Sequence, residues 1–435
     1  MNLEDARHEI RLALDHVDIV DHHEHLGGQF RDGAFGLDLP AFLARYYLMA
    51  DLTSAGLPAE FRGPAAFNYL EKPDHDGISA QRWDAVLPYL QRVKNTIYYR
   101  YLLIALRDLF GMDAEEVDEV EDWKALSDKI RDANSESPQW ATSVLDRTNI
   151  KHIMLDLGWL NSGWWQQDRI PRLIEDRRFH RVVRCDPFVV GDRQLAEAIS
   201  GNPIHSLDQF LDALDAAFQV AVDDGAVGLK SALAYRRVIH YEDVSREDAE
   251  HAWAAGLDKV DCHWQKAFQD FMMHQVLARC VEHDLPIQVH TGIQAGNFNT
   301  ITNAKPTHLT NLFQKFSTVR FDIFHGGYPY CREAGLLAKY FPNVYVDGCW
   351  LAHISPAAYT RALDEWIEIV PSSKIFAWGG DHRIVEHSYA SLMLAKDLIA
   401  NVLAAKVSAG YFTMKVALDL LQRIMGGNGV EFYRL

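Results

Sequence analysis

From residue 150 onward the chain settles into a strict alternation, and that alternation limits the fold more than any other feature. Apolar runs of strand length occur at Ile150–Leu157, His180–Val190, Ala226–Ala232, Pro286–Val289, Val319–Phe324, Asn343–Asp347 and Lys374–Asp381. Segments with helical periodicity lie between and after them, at 192–200, 207–224, 246–283, 307–315, 331–341, 356–369 and 387–405. Near-continuous apolar strands separated by helices describe a parallel sheet covered on both faces. An earlier run over residues 17–24 raises the strand number to eight, which predicts a (β/α)8 TIM barrel. The competing architecture is an open doubly wound sheet. It wants a glycine-rich phosphate loop after the first strand, and Gly27-Gly28 is not a G-x-G-x-x-G.

Residues 29–147 depart from the alternation. Leu39–Ala50, Ala85–Phe110 and Glu121–Ala133 carry apolar positions at i, i+3, i+4 spacing, so this stretch reads as a long helical insertion after strand 1. The whole chain, 1–435, is then one barrel with 29–147 inserted in it. A short amphipathic helix over residues 3–15 precedes the first strand. Forty-three Lys and Arg against 60 Asp and Glu leave a net charge of −17. That balance argues against nucleic acid or an anionic membrane as the partner and favours a small-molecule substrate. No apolar run reaches bilayer length, and residues 1–7 lack the apolar core of a signal peptide. The five cysteines, Cys185, Cys262, Cys280, Cys331 and Cys349, are scattered and form no Cys-x-x-Cys. Free thiols in a reducing cytoplasm is the plain expectation.

In a barrel the C-terminal strand ends meet on one face, where chemistry is done. The first run ends in Asp21-His22-His23-Glu24-His25. Side chains at i and i+2 of a strand point the same way, so His23 and His25 are expected to project together. The fourth run carries Lys230, the fifth ends in His290, the sixth in His325 and the eighth in Asp381, followed by Arg383. A single histidine at a strand end is more often hydrogen-bonded than a ligand, and Asp381 after two glycines could cap a helix. Four imidazoles, an amine and a carboxylate at the same end of five strands instead point to a divalent metal. Lys230 lies within an apolar run, where an unpaired charge would cost several kcal/mol.

At these residues the chain resembles the amidohydrolase superfamily, over most of its length. That family places a His-x-His pair on strand one, histidines on strands five and six, and an aspartate on strand eight. Members with two metals add a strand-four lysine, often carbamylated. The resemblance implies His23, His25, His290 and Asp381 as ligands of one ion, expected to be Zn2+, with Lys230 and His325 able to hold a second. The stretches Gly228–Arg236, His290-Thr291-Gly292 and Phe324–Tyr330 look like the "amidohydrolase 2" group, which contains hydrolases and decarboxylases. The insertion and Asp381-x-Arg383 are similar to uronate isomerases. Those enzymes carry a His-Tyr pair after strand one, where this chain has Tyr46-Tyr47. Members of the family often form homo-oligomers.

The expected chemistry follows from those residues. A metal ion lowers the pKa of its bound water, which gives a hydroxide near neutral pH. Asp381 is expected to act as general base and to return the proton to the leaving group. His325 either ligates or polarises the substrate. The Arg383 guanidinium suits a substrate carboxylate, and Arg184 and Arg236 are weaker candidates for the same work. Tyr328, Trp350 and Trp378 are candidate pocket walls. The expectation is a metal-dependent hydrolase of a small, carboxylate-bearing substrate. The same metal site would also serve a decarboxylase or a uronate-isomerase-like enzyme, and a non-catalytic metal-binding barrel is the third possibility.

Overall fold

The structure, a computed structural model, describes residues 1–30, 33–45, 47–62, 76–156 and 176–435. Eight strands form one sheet in sequential order, every neighbouring pair parallel. They are β1 (Ile19–Glu24), β2 (Ile150–Asp156), β3 (Phe179–Arg184), β4 (Ala226–Ser231), β5 (Ile287–Val289), β6 (Phe321–Ile323), β7 (Val344–Asp347) and β8 (Ile375–Phe376). The chain is therefore a TIM barrel. Leu157, the expected last residue of the second run, lies outside the described residues.

Three expected boundaries change. The third run ends at Arg184, because Asp186-Pro187 starts a short helix, Asp186–Val190, with proline in its first turn. The long helix expected over 246–283 is two, Arg246–Ala255 and Cys262–His283, parted at Gly256 and restarted by Asp261 capping His263 and Trp264. The eighth strand is only two residues long.

The barrel closes beyond the short β8. The Asp381 amide donates to the His23 carbonyl at 2.7 Å, and the His25 amide donates to the His382 carbonyl at 2.8 Å. Side chains reinforce this seam. Asp21 Oδ1 accepts from the Gly380 amide at 3.0 Å, and Glu24 Oε2 accepts from the His382 amide at 2.6 Å. Gly380 has to be glycine, since a Cβ there would lie 1.8 Å from Glu24 Oε1. Asp21 and Glu24 are both fully buried. Burial pushes Asp21 up to about 7, and burial together with the neighbouring Asp21 carboxylate pushes Glu24 well above its usual range.

Between β1 and β2 the chain forms helices that include Leu39–Ala44, Tyr47–Ser54, Leu102–Phe110, Trp123–Ala133 and Ser137–Leu145. Phe42, Leu48, Leu52, Leu106 and Ile130 build a hydrophobic cluster there, and it takes in Ile384 and Ala390 beside and within the helix after β8, Val385–Ser408. A polar knot holds the same junction. Glu386 is completely buried and accepts from Gln29 (3.0 Å), Asn134 (3.1 Å) and Trp140 (2.8 Å), so its carboxylate is satisfied where solvent cannot reach.

The barrel interior is layered. Its floor is apolar: Val20, Met154, Val182 and Phe376 pack against Phe432 and Tyr433. The last two belong to a helix at Asn428–Tyr433 that the sequence reading did not anticipate, and that plugs the barrel from below. It approaches β1 so closely that a Cβ on Gly429 would sit 2.8 Å from Val20 Cγ1. Above the floor the interior turns polar. Arg184, Lys230, Gln288 and Asp322 are register partners across β3 to β6. His22 and Asp347 join this layer, their ligand atoms and that of Asp322 lying within 4.8 Å of one another. Burial raises Asp322 well above its normal range and Asp347 to about 8, while the Lys230 charge works in the opposite direction. Both carboxyls therefore hold protons more tightly than they would in water.

The native interior holds protons that an unfolded chain would release above the ordinary carboxyl range. Stability should therefore fall as pH rises from about 6.5 to 8. Buried histidines oppose this only below their unfolded value of about 6.5. Thermal melts across that window should show a falling midpoint for the wild type and a flatter profile for Asp347→Asn. Equal slopes would mean that the Asp322–Asp347 pair holds no extra proton.

Candidate metal centre

β1 delivers two imidazoles to the upper mouth of the barrel. The β1–β2 register slips between Asp21 and Glu24. Simple alternation fails there, and two consecutive histidines both face inward. His22 turns down and stacks on Phe376, ring centroids 4.1 Å apart. His23 turns up and meets His25 edge to face at 4.9 Å.

Hydrogen bonds settle which nitrogen of each ring carries its proton. His23 Nδ1 donates to Gln288 Oε1 at 2.9 Å, and His25 Nδ1 donates to the Asp156 carbonyl at 2.6 Å. His325 Nδ1 donates to the Cys349 carbonyl at 3.1 Å, and His290 Nε2 donates to the Ile293 carbonyl at 2.7 Å. A neutral imidazole has one N–H. The lone pairs are therefore on His23 Nε2, His25 Nε2, His325 Nε2 and His290 Nδ1.

The nitrogens of His23, His25 and His325 face Asp381, and that of His290 faces His325. His25 Nε2 is 3.2 Å and His23 Nε2 3.9 Å from Asp381 Oδ1, and His325 Nε2 is 3.8 Å from Oδ2. His23, His25 and Asp381 form a group whose ligand atoms all lie within 4.8 Å of one another. His325 Nε2 and His290 Nδ1 stand 3.1 Å apart. Two lone pairs at that separation repel unless a cation sits between them. A proton is disfavoured, because burial first, and Lys230 as well, push both rings well below their usual range. Two nitrogens bound to one ion at about 2.0–2.1 Å each would stand roughly 3 Å apart. The donor set thus fits a divalent metal. Asp381 completes it. Burial would raise its carboxyl, but the basic groups packed around it, His25 foremost and Lys230 among them, hold it below its usual range.

Three strand ends at this mouth carry non-glycine residues in left-handed backbone: His325 after β6 (φ 60°), Trp350 after β7 (φ 62°) and Asp381 after β8 (φ 59°). Each costs about 1–2 kcal/mol relative to an ordinary conformation. Glycine would relieve the strain, but it would remove the side chain the site uses.

Other candidate residues occupy more varied places. Trp350 forms a wall, stacked on Tyr47 at 4.3 Å and edge-on to His325 at 4.9 Å. Arg383 is exposed just beyond Asp381. Lys230 lies a layer lower, its ammonium 3.3 Å from the centroid of the Phe324 ring, and burial brings it down to about 8. Arg184 is bonded to Asp156. Tyr328 is half-buried against the main core, and Trp378 is buried within it. Tyr46 lies outside the described residues.

Sequence reasoning missed three participants. Gln288 and Asp156 had a signal. Gln288 sits two places before His290 in the fifth run, and Asp156 is the polar residue closing the second. Tyr47 had none. Its hydroxyl reaches from the insertion to the Asp381 carbonyl, 2.6 Å away, across 334 residues of sequence.

Comparison with known proteins agrees with this architecture. The chain is 26% identical over 284 residues to protein fluG of Emericella nidulans, an alignment covering 59% of this chain and 32% of the other. The chain thus spans about a third of the length of that relative. Its fold is similar to glucuronate isomerase from Caulobacter crescentus (TM-score 0.76, 16% identity, covering 99% of this chain and 94% of the other). It is also similar to uronate isomerase from Thermotoga maritima (0.73, 16%, 99% and 97%). A Lactobacillus casei protein assigned as a metal-dependent hydrolase shares the fold as well (0.67, 18%, 97% and 96%). The sequence model of the amidohydrolases matches residues 196–435, more than half of the chain and every strand from β4 onward. The chain belongs to the amidohydrolase family.

Proposed function

We propose that the protein is a metal-dependent hydrolase of a small substrate bearing a carboxylate. The observation that carries this reading is the convergence of the His23, His25 and His325 lone pairs on Asp381, with His290 facing His325 at 3.1 Å. His23, His25, His290 and Asp381 would hold the ion, and His325 either joins them or faces the substrate. Nitrogen-rich donors suit Zn2+. A divalent ion there supplies Lewis acidity, toward water and toward a substrate carbonyl.

The chain's own residues do the rest. Asp381 is held ionised, so it can take a proton from the attacking water and pass it to the leaving group. His325, with Nδ1 tied to a backbone carbonyl, can only present Nε2 to the site. Arg383, exposed beside Asp381, would clamp the substrate carboxylate with its planar fork. No helix among the described residues is long and apolar enough to cross a membrane. All five cysteines are free, which suits the reducing cytoplasm we propose as the compartment.

A second reading is isomerisation of a sugar acid. It is supported by the whole-chain fold likeness to uronate isomerases, and by Tyr47, which an insertion residue after strand one brings against Asp381. Reaction in 18O-labelled water separates the two: a hydrolase places solvent oxygen in the product, and an isomerase forms none of the hydrolysis products.

The protein should bind divalent metal at one or more equivalents. In a screen of carboxylated amides, esters, lactones and sugar acids, Asp381→Asn should lower kcat by roughly 10²–10⁴-fold, the usual worth of a positioned proton carrier. Sub-stoichiometric metal together with full activity in Asp381→Asn would refute the reading. Arg383→Met should raise KM about 10–100-fold for carboxylated substrates, the worth of a charged hydrogen bond. It should leave kcat nearly unchanged. Equal KM values for substrates with and without the carboxylate would remove Arg383 from recognition.

A further inference from the structure

The hydrogen bonds beneath His23 do not stop at Gln288. The amide nitrogen of Gln288 donates to the His22 carbonyl at 2.7 Å and to the Tyr433 hydroxyl at 2.7 Å. The Tyr433 hydroxyl in turn reaches Asp322 Oδ2 at 3.3 Å. Gln288 and Asp322 are fully buried, and Tyr433 nearly so. Both N–H groups of the amide are therefore used, and its oxygen is left for one partner, His23 Nδ1.

Orientation of this amide has a chemical consequence. Reversed, Gln288 would present N–H to His23 Nδ1. The ring would then have to carry its proton on Nε2, the nitrogen that faces Asp381, His25 and any ion. A ring in that tautomer is not a ligand. Tyr433 accepts one of the two N–H groups that forbid the reversal. It also belongs to the helix that plugs the barrel floor, 145 residues beyond Gln288.

We propose that Tyr433 is a positioning residue of the metal centre: by accepting from the Gln288 amide, it fixes the His23 tautomer that leaves Nε2 free to bind the ion. The floor plug thereby contributes to metal affinity as well as to packing. This inference rests on the metal centre proposed above.

The test uses the full chain and Co2+ alone as probe, read by chelator competition and by the visible ligand-field spectrum. Gln288→Leu should weaken Co2+ binding about 10–100-fold, as loss of a histidine's outer partner usually does. Tyr433→Phe keeps the ring in the floor and should weaken binding roughly 3–10-fold, a fraction of that. Both should alter the spectrum. Phe432→Leu is the packing control: it should lower the melting temperature and leave Co2+ affinity and spectrum as in the wild type. The inference is overturned if Tyr433→Phe binds Co2+ like the wild type, or if Phe432→Leu weakens binding as much. In either case the wild-type affinity stands, and with it the proposed function. A wild type that binds no Co2+ would overturn the inference and the metal centre together.

Discussion

The arrangement depends on one seam. β8 has two residues, too few to hold a barrel shut by its own ladder. Closure passes instead to the four residues after Trp378, which are pinned to β1 by backbone bonds at His23 and His25 and by the buried carboxyls of Asp21 and Glu24. Asp381 sits in the middle of that seam. Its amide holds the barrel together while its carboxylate faces the histidines. Closing the barrel and completing the ligand set are one event, and Gly379-Gly380 is the sequence signature of the tight fit that this requires.

Below the seam the interior runs against the usual expectation for a barrel of this kind, whose layers are filled by branched apolar side chains. Here a middle layer of His22, Arg184, Lys230, Gln288, Asp322 and Asp347 lies between an apolar floor and the histidine mouth. Such a layer is tolerable only where charges are balanced and donors matched. Arg184 is answered by Asp156, and the Lys230 charge works against the rise that burial imposes on Asp322 and Asp347. The result is a polar layer beneath the candidate ligands, while Tyr47 of the insertion and Trp350 after β7 stack on each other to wall the mouth from the side.

Much of this was legible in the chain. Apolar runs alternating with helical periodicity specified a buried parallel sheet, and the count of eight strands with no glycine-rich phosphate loop pointed to the barrel. That His23, His25, His290, His325 and Asp381 gather at one mouth was legible because the pattern itself marks the strand ends that meet there. What stayed hidden was non-local. Asp186-Pro187 carried a helix start that the apolar residues around it disguised as strand. The plug at Asn428–Tyr433 was hidden by Gly426, Gly427 and Gly429, which read as breakers; two of these glycines let the segment pass against β1. Tyr47 could be placed only by tertiary packing, since nothing near it in sequence points to Asp381.

The floor plug also bears on the order of assembly. The seam joins residues 359 positions apart, and the polar layer is completed by a tyrosine that leaves the ribosome later still. Contacts of such long range are slow to form, and chains that need them spend time with strand edges exposed. Histidines on β1 are made well before their partners after β8, the seam itself joining residues 359 apart. An ion at the proposed centre would thereby have to wait until both β8 and the Asn428–Tyr433 plug have been made.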